Sequence, residues 1–328
     1  MLRQTLTPAA VALSLAVATT APVPALAQAS WPAGKPITFI VPFSPGSGTD
    51  IIARALADKL GDALSQSIVI ENRPGAGGTL GAAAVAKAAP DGYTYLVHSS
   101  GHVVNPAIYP NLSYDTLKDF TGITPLASLP NVLVTAPDKG FKSVSDLVAK
   151  AKADPGGLSY ASAGNGSATH MNAEQFRVAA GIEALHVPFR GTPPAMNEAV
   201  AGRVDWFFAP LVSALPLVQS GQLQALAVGT AKRSPALPDT PSITDVGLPD
   251  AAYTFWVGLF TTAGTPPDVV QRMHTEVSKV LQQPEVQERF KNMGADAFSM
   301  DQAEFETMLE RETRSSAELV KAAKVKID

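Results

Sequence analysis

The sequence predicts an α/β protein with two domains, each built on a mostly parallel β-sheet that carries helices on both faces. Short runs rich in β-branched residues alternate with segments in which apolar residues recur every three or four positions, such as "SVSDLVAKAKA" at 143–153 and "PPAMNEAVAGR" at 193–203. The chain has 328 residues, which is long enough for two hydrophobic cores. It has no cysteine, so packing rather than disulfide bonds must hold the fold together.

Nine strands are predicted, each from a short run of β-branched and aromatic residues. They cover residues 37–43, 67–72, 94–99, 131–136, 158–163, 184–189, 204–209, 223–230 and 253–260. The Pro-rich segment 229–250 is expected to be an extended connection. After residue 260 the pattern is helical, and no further strand is predicted.

Residues 1–29 have the features of a cleaved secretory signal and are not expected to belong to the fold. Arg3 is the only charged residue in this stretch, and the apolar segment "AAVALSLAVA" follows it. Small residues at A-x-A spacing end at Ala27 and at Ala29, so the mature chain is expected to begin at Gln28 or Ser30. The apolar segment is too short to span a bilayer, so we expect an exported protein without stable membrane insertion.

The composition excludes several classes of partner and chemistry. The formal net charge is −4, or −5 once Arg3 is removed, and there is no run of Lys or Arg, so nucleic-acid binding is not expected. Without cysteine there is no thiol nucleophile, iron–sulfur cluster or cysteine-based zinc site. The five histidines show no spacing typical of a metal site, so no metal is expected.

No motif in the sequence predicts a cofactor or a catalytic centre. "RPGAGGTLG" departs from the dinucleotide-binding pattern G-x-G-x-x-G because Leu80 occupies the last glycine position, and no P-loop is present. "GNGSATH" around Ser167 only loosely resembles the nucleophile elbow of serine hydrolases. We therefore expect a binding protein rather than an enzyme, with a secreted serine hydrolase as the alternative.

Three loops share one design, in which a strand leads through glycine and small hydroxyl residues into a helix. They read "SPGSGT" at 44–49, "RPGAGGT" at 73–79 and "GNGSAT" at 164–169. Glycine allows positive φ angles and close approach of the backbone to a ligand. The unpaired N–H groups of a first helical turn favour an anion. One such loop could equally be a simple helix cap, but three at the carboxyl ends of strands predict an anion-binding site.

A few further side chains are candidates for ligand contact. Ser99 and His102 lie in "SSGHVVNPAIYP", which is expected to approach the site, and Thr169 ends the third loop. Arg190 in "VPFRGTP" can pair with a carboxylate in a bidentate manner, or form a salt bridge that closes a strand–helix turn. Asp205 begins a strand, where either a ligand contact or a structural role fits.

Over its mature length the sequence resembles the Bug-type periplasmic solute receptors of tripartite tricarboxylate transporters. Four segments carry the resemblance, in this order: "WPAGKPITFIVPFSPGSGTDIIAR", "VIENRPGAGGTLGAAAVAKAAPDGYT", "LVTAPDKGFKSVSDLVAKAKADPGGLSYASAGNGSATHMNAEQF" and "VPFRGTPPAMNEAVAGRVDWFFAP". The resemblance implies the two-lobe Venus flytrap fold of periplasmic binding proteins, with a ligand cleft between the lobes. Lobe 1 would comprise residues 31–130 and 252–328, and lobe 2 residues 131–251.

The resemblance also implies which residues hold the ligand, largely through backbone amides and bridging water molecules. They belong to the first strand–helix loop and its counterpart: Phe43, Pro45, Gly46, Ser47 and Gly48 in lobe 1, and Ala163, Gly164, Asn165, Gly166 and Ser167 in lobe 2. The family's first loop commonly reads P-F-x-P-G-G, whereas this chain has Ser47 in place of the second glycine. The Ser47 hydroxyl is therefore a further candidate donor to the ligand.

The implied function is capture of a small carboxylate in the periplasm and its delivery to the membrane permease subunits of a tripartite transporter, for which a monomer suffices. A dicarboxylate or an aromatic acid is favoured, because the loops offer histidine and hydroxyl groups but few acidic side chains to hold an amine. An extracytoplasmic sensor subunit for a membrane kinase is the alternative binding function. The cleft is expected to close on the ligand by a hinge motion.

Overall fold

The computed structural model describes residues 31–325, and the predicted signal segment lies outside this range. The described chain contains two β-sheets with helices on both faces of each, which confirms the α/β class and the two-lobe fold. We call the part around the six-stranded sheet lobe 1 and the part around the five-stranded sheet lobe 2. None of the helices in the described range is long and apolar enough to cross a membrane.

The strands occupy both halves of the chain. In order they are β1 (Ile37–Val41), β2 (Ile68–Asn72), β3 (Thr94–Ser99), β4 (Phe120–Leu129), β5 (Asn131–Thr135), β6 (Ser159–Ser162), β7 (Leu185–Pro188), β8 (Trp206–Pro210), β9 (Gln224–Val228), β10 (Phe255–Thr262) and β11 (Asp296–Ala297). The lobe 1 sheet has the order β11-β4-β10-β3-β1-β2, and the lobe 2 sheet has the order β7-β6-β8-β5-β9.

The α-helices connect these strands and cover the sheets. They are α1 (Gly48–Leu64), α2 (Thr79–Ala86), α3 (Gly101–Ile108), α4 (Val144–Ala153), α5 (Ala168–Ala180), α6 (Thr192–Val200), α7 (Leu211–Gln219), α8 (Pro267–Leu281), α9 (Pro284–Asn292) and α10 (Gln302–Ala322). In lobe 1, α1, α8 and α9 pack on one face of the sheet and α2 and α10 on the other. In lobe 2, α4 and α5 cover one face and α6 and α7 the other.

Helix α1 shows how the sequence produces this packing. Ile52, Leu56, Leu60 and Leu64 recur every fourth residue, so they form one apolar stripe on the helix. All four are buried against the lobe 1 sheet and α8. The helix ends where Ser65 adopts a left-handed conformation, with φ of 52°, and caps the last carbonyl groups.

The two sheets are mixed, which differs from the prediction of mostly parallel sheets. Parallel ladders join β1 to β2 and β3, and β6 to β7 and β8, whereas the other ladders are antiparallel. The chain passes from β4 in lobe 1 to β5 in lobe 2 through Pro130 alone. Two parallel neighbouring strands must be joined by a long crossover, usually a helix. Strands that carry the chain directly from one lobe to the other lack such a crossover, so they form antiparallel pairs.

Strand β4 was missed by the sequence prediction. Its ten residues include Gly122 and Pro125, both of which disfavour a strand interior. The register of β4 against β10 shifts between Val257 and Gly258, next to Pro125, so the proline lies at an irregularity of the ladder. The two-residue strand β11 in the C-terminal region was also missed, and the expectation of helices alone there is wrong.

Candidate functional site

Two strand–helix loops from different lobes meet at one small cavity. In lobe 1 the loop leads from β1 into α1, and in lobe 2 it leads from β6 into α5. The cavity between them has room for the centre of about one water molecule, about 10 Å³. It is lined by Phe43, Ser47, Gly48, Thr49, Ser99, Ala163, Ser167, Ala168, Thr169, Thr192, Pro210 and Phe255.

The carboxylate of Asp50, a residue that is 2% exposed, holds the lobe 1 loop in place. This carboxylate accepts hydrogen bonds from the backbone N–H of Gly46 at 2.8 Å and from the side chains of Arg54 and Asn72. Asn72 also donates to the carbonyl oxygen of Phe43 at 3.0 Å. Burial alone would raise the pKa of the Asp50 carboxyl, but the hydrogen bonds outweigh burial and lower its pKa below the usual value. The Asp50 carboxylate that supports the loop is therefore ionised and already has its hydrogen-bond partners.

The first turns of α1 and α5 present backbone N–H groups that have no acceptor within residues 31–325. In α1 these groups belong to residues 48–50, because the side chain of Ser47 does not cap the helix. In α5 they belong to residues 168–169. Two helix dipoles thus place positive partial charge at one cavity, where an anion is stabilised.

Four of the five backbone amides of the lobe 2 loop at 163–167, which the resemblance assigns to ligand binding, bond within the lobe in this structure. The pairs are Ala163 N to Thr169 Oγ1 at 2.9 Å, Gly164 N to Ser162 Oγ at 3.1 Å, Gly166 N to His170 Nδ1 at 3.1 Å and Ser167 N to Gly164 O at 3.0 Å. The loop is buried and tight, so its amides need internal partners. The N–H of Asn165 has no acceptor within residues 31–325, and neither do those of residues 168–169 in the first turn of α5.

A second cavity of about 180 Å³ adjoins the first, since Phe43 and Ala163 lie in the walls of both. Its other walls are the loop at 75–78, Tyr109, Gly164 and Asn165, and residues 188–190. Arg190 is the charged residue in this lining.

Most of the predicted site residues are brought together at these two cavities. Those in the first are Phe43, Ser47, Gly48, Ser99, Ala163, Ser167 and Thr169, and Gly164, Asn165 and Arg190 line the second. Pro45 and Gly46 lie at the exposed outer end of the lobe 1 loop and line neither cavity. Gly166 also lines neither, because its amide is turned towards His170.

His102 and Asp205 lie away from both cavities. The imidazole of His102 is 1% exposed and packs among the rings of Phe120 and Phe260 in lobe 1, and this burial lowers its pKa well below the usual value. Asp205 bonds to the backbone N–H and hydroxyl of Ser159 and to Lys139 at 2.8 Å. These contacts fit the structural alternative for Asp205.

The sequence reasoning missed several residues that line the cavities. Thr49 and Thr192 are at helix starts inside the motifs "SPGSGT" and "VPFRGTP", so a search for hydroxyl residues in the first turn would have found them. Tyr109 lies in the segment "SSGHVVNPAIYP" that was expected to approach the site, whereas Phe255 carries no local signal, because only the fold brings it to the cavity.

The lobes touch through direct hydrogen bonds at the rim of the cavities. The Ser44 hydroxyl donates to the carbonyl of Arg190 at 2.9 Å, and the N–H of Thr192 donates to the Ser47 hydroxyl at 3.3 Å. The Tyr109 hydroxyl donates to the carbonyl of Asn165 at 3.0 Å. The Ser47 hydroxyl therefore bonds to the other lobe in this structure.

A larger groove of about 770 Å³ lies between α5 and α10. The carboxylates of Asp250, Glu312 and Glu318 line it. Burial raises the pKa of the Glu312 carboxyl, whose oxygen accepts a hydrogen bond from Trp256 at 2.7 Å. Its acidic lining opposes an anion, so the small cavity between the loops is the better anion site despite its size.

The chain matches a known protein family over most of its length. The model of the tripartite tricarboxylate transporter family receptor, TctC, matches residues 52–325. The chain belongs to this family. It is 35% identical to protein BugT of Bordetella pertussis over 263 residues, which are 80% of this chain and 81% of BugT. The predicted resemblance to Bug-type receptors is thereby confirmed.

Solved structures of TctC-type receptors have the same two-lobe fold. The periplasmic binding protein BugD has a TM-score of 0.85 at 31% identity, over 90% of this chain and 99% of BugD. Rpa4515 of R. palustris, solved with adipate, has a TM-score of 0.87 at 32% identity, over 90% of this chain and 99% of that protein. MatC of Rhodopseudomonas palustris, solved with malate, has a TM-score of 0.83 at 32% identity, over 87% of this chain and 99% of MatC. The family is thus one of transporter receptors.

Proposed function

We propose that this TctC-type receptor captures a small carboxylate between its two loops and delivers it to the membrane permease subunits of a tripartite tricarboxylate transporter. The observation that carries the proposal is the facing pair of helix N-termini, with N–H groups at residues 48–50 and 168–169 that have no acceptor within the described range. A carboxylate in this cavity accepts from both lobes at once. The adipate and malate found with two related receptors support the same ligand class.

The second cavity favours a ligand with two acidic groups. Arg190 lies at this cavity and has no acidic partner within residues 31–325, whereas Arg177 and Arg203 pair with glutamates of the same lobe. A guanidinium binds a carboxylate well through two parallel hydrogen bonds. A dicarboxylate therefore fits better than an aromatic monoacid, with one end at the helix N-termini and the other at Arg190.

Binding requires the loops to part. The first cavity has room for about one water molecule, which is too little for a carboxylate. The loops are also joined by the bonds of Ser44 to Arg190 and of Thr192 to Ser47. We infer a hinge motion between the lobes, with the division at residues 130/131 and 251/252.

The site of action follows from the family and the N-terminal sequence. We propose that residues 1–29 direct export and are removed, and that the mature receptor works in the periplasm as a monomer. BugD, with the same fold, is a periplasmic binding protein. Binding of the purified mature chain to permease subunits in detergent would test the transporter partnership.

Arg190→Gln, tested with a matched pair of acids, examines the ligand class. We expect adipate to bind the wild type. Arg190→Gln should lower the affinity for adipate by about tenfold or more, because a hydrogen-bonded charge is lost. Hexanoate has the same length but one carboxylate, so its weaker binding should not change. Affinities are measured by calorimetry, and a rise in Tm with ligand confirms binding to the folded state.

Arg203→Gln is the control, because Arg203 is an exposed arginine of the same lobe that pairs with Glu198. It removes the same charge without touching either cavity. An equal loss of adipate affinity in both variants would contradict a direct contact with Arg190. The absence of any Tm shift with adipate, malate, citrate, nicotinate, benzoate and the phthalates would contradict the carboxylate-receptor proposal itself.

A further inference from the structure

Lobe 2 contains a stack of two imidazoles, one buried and one half-buried, that line neither ligand cavity. The rings of His170 and His186 are 4.0 Å apart between centroids and nearly parallel, at 10°. The ring of Tyr160 is nearly parallel to both, with its centroid 4.9 Å from that of His186 and 6.4 Å from that of His170. His170 is 2% exposed. The stack adjoins the lobe 2 loop, because His170 belongs to the first turn of α5, which follows that loop.

Each imidazole is connected to one backbone amide of that loop. Nδ1 of His170 accepts from the N–H of Gly166 at 3.1 Å. Nε2 of His186 bonds to the hydroxyl of Ser162 at 2.6 Å, and the same hydroxyl accepts from the N–H of Gly164 at 3.1 Å. The two amides are therefore tied, directly or through Ser162, to the stacked pair.

These amides determine the shape of the loop. Gly164 and Gly166 have φ angles of 119° and 76°, so the chain turns sharply at both positions. Between them the carbonyl of Asn165 points to Tyr109 in lobe 1, and after them Ser167 caps α5 by accepting from the N–H of His170. Holding the two glycine amides in place thus determines how the first turn of α5 is oriented towards the cavity.

The tautomer of His170 is fixed by its surroundings. Since Nδ1 accepts a hydrogen bond, the proton of the neutral ring is on Nε2, which lies 3.9 Å from the carboxylate of Glu174. Glu174 is 3% exposed and also binds the hydroxyl of Tyr160 and the guanidinium of Arg177. Burial lowers the pKa values of His170 and His186 to about 3, which keeps both rings neutral at neutral pH.

We propose that His170 and His186 are positioning residues, which hold the amides of Gly166 and Gly164 so that the N-terminus of α5 opens into the anion cavity. The pair acts through the loop and does not touch the ligand. The inference rests on the proposed function where it concerns ligand affinity, and its structural part is tested without any ligand.

His170→Leu and His170→Asn form a matched pair for the test. Both remove the ring and its stacking, but the Oδ1 atom of Asn takes the place of Nδ1, whereas Leu puts a methyl group there. We expect the Gly166 amide to exchange its hydrogen about fivefold faster or more in His170→Leu than in His170→Asn, because a buried hydrogen bond is lost in one and kept in the other. Amide exchange is measured by NMR on the mature chain without ligand.

Adipate and malate supply the binding readout. We expect His170→Leu to bind the probe that the wild type accepts at least about fivefold more weakly than His170→Asn does. Equal exchange of Gly166 and equal affinity in the two variants, even with lowered stability in both, would overturn the positioning role. If neither probe binds the wild type, the exchange result still decides this role, and the proposed function fails separately.

His186→Met and His186→Gln give a second pair in case neither His170 variant folds. Gln places a polar atom where Nε2 stands, and His186 is only half-buried, so both changes are tolerated more easily. Here the reporter is the amide of Gly164. Faster exchange in His186→Met than in His186→Gln supports the proposal, and equal exchange contradicts it.

Discussion

At the scale of single residues, Gly77 shows how closely the two lobes meet. Its φ angle is 61°, and a Cβ atom at this position would lie 1.9 Å from the carbonyl oxygen of Asn165 in the other lobe. The Tyr109 hydroxyl binds the same oxygen. No side chain fits between the two backbones, so the contact of the loops requires glycine here.

Gly77→Ala is therefore expected to push the lobes apart. The radius of gyration measured by small-angle scattering should rise, because the Cβ atom and the Asn165 carbonyl cannot occupy the same space. Gly140→Ala is the control, since Gly140 has a similar φ angle of 76° but open space around it. Both variants should lose roughly 1 kcal/mol of stability from the positive φ angle, and an unchanged radius in Gly77→Ala would contradict the contact.

The sequence located the loops of the site but not every side chain in it. Ser47 and Ser167 could be predicted because glycine and hydroxyl residues directly before a helical pattern have a local physical meaning. His102 was expected to approach the site but lines neither cavity, because spacing along the chain does not say which way a helix turns its side chains. Its ring faces the aromatic core of lobe 1 instead.

At the scale of elements, helix α10 is fixed to the lobe 1 sheet by one aromatic ring. Phe305 is fully buried, and Cβ atoms added at Gly122 of β4 and Gly258 of β10 would lie 3.0 Å and 2.8 Å from its ring. The two glycines on neighbouring strands thus form a hollow that the ring fills. Packing of this kind depends on close fit rather than on area alone.

Phe305→Ala should lower the free energy of unfolding by about 3–5 kcal/mol, because it empties this hollow. Urea unfolding followed by circular dichroism measures the change. Glu306→Ala, one residue away on the exposed face of α10, should change stability by less than about 0.5 kcal/mol. A similar loss in both variants would contradict the role of the Phe305 ring.

The hollow that holds the Phe305 ring also explains why strand β4 was not predicted from the sequence. Gly122 is needed for the Phe305 ring and Pro125 is accommodated at a shift of register, so both are tertiary requirements that weaken the local strand pattern. The strands flanked by regular helices, such as β1 and β6, were predicted within a few residues. The β-branched and apolar run of β1 is sufficient because this strand lies in the middle of a sheet.

At the scale of the whole molecule, buried neutral histidines link stability to pH. Burial lowers the pKa values of His98, His170 and His186 from 6.5 to about 3. Below pH 6.5 the unfolded chain takes up protons at these positions and the folded chain does not until about pH 3. The stability that these groups contribute is therefore complete above pH 6.5 and is lost as the pH falls towards 3.

We expect the free energy of unfolding to fall between pH 6.5 and pH 4.5, by up to about 1.4 kcal/mol per pH unit for each histidine. Urea unfolding at a series of pH values gives the slope. His186→Gln removes one titrating group and should make the slope shallower. A stability that stays constant from pH 7 to pH 5 would contradict the neutral, buried state of the three rings.

The hydrogen bonds between the loops also have a thermodynamic effect on ligand capture. Ser44 and Thr192 join the lobes across a cavity with room for about one water molecule, so only the open fraction of empty receptors can accept a ligand. The apparent dissociation constant is then the intrinsic constant divided by that fraction. Contacts between the lobes of the empty receptor thereby contribute to its apparent affinity, and two receptors with identical ligand contacts can differ in affinity through their empty-state equilibrium alone.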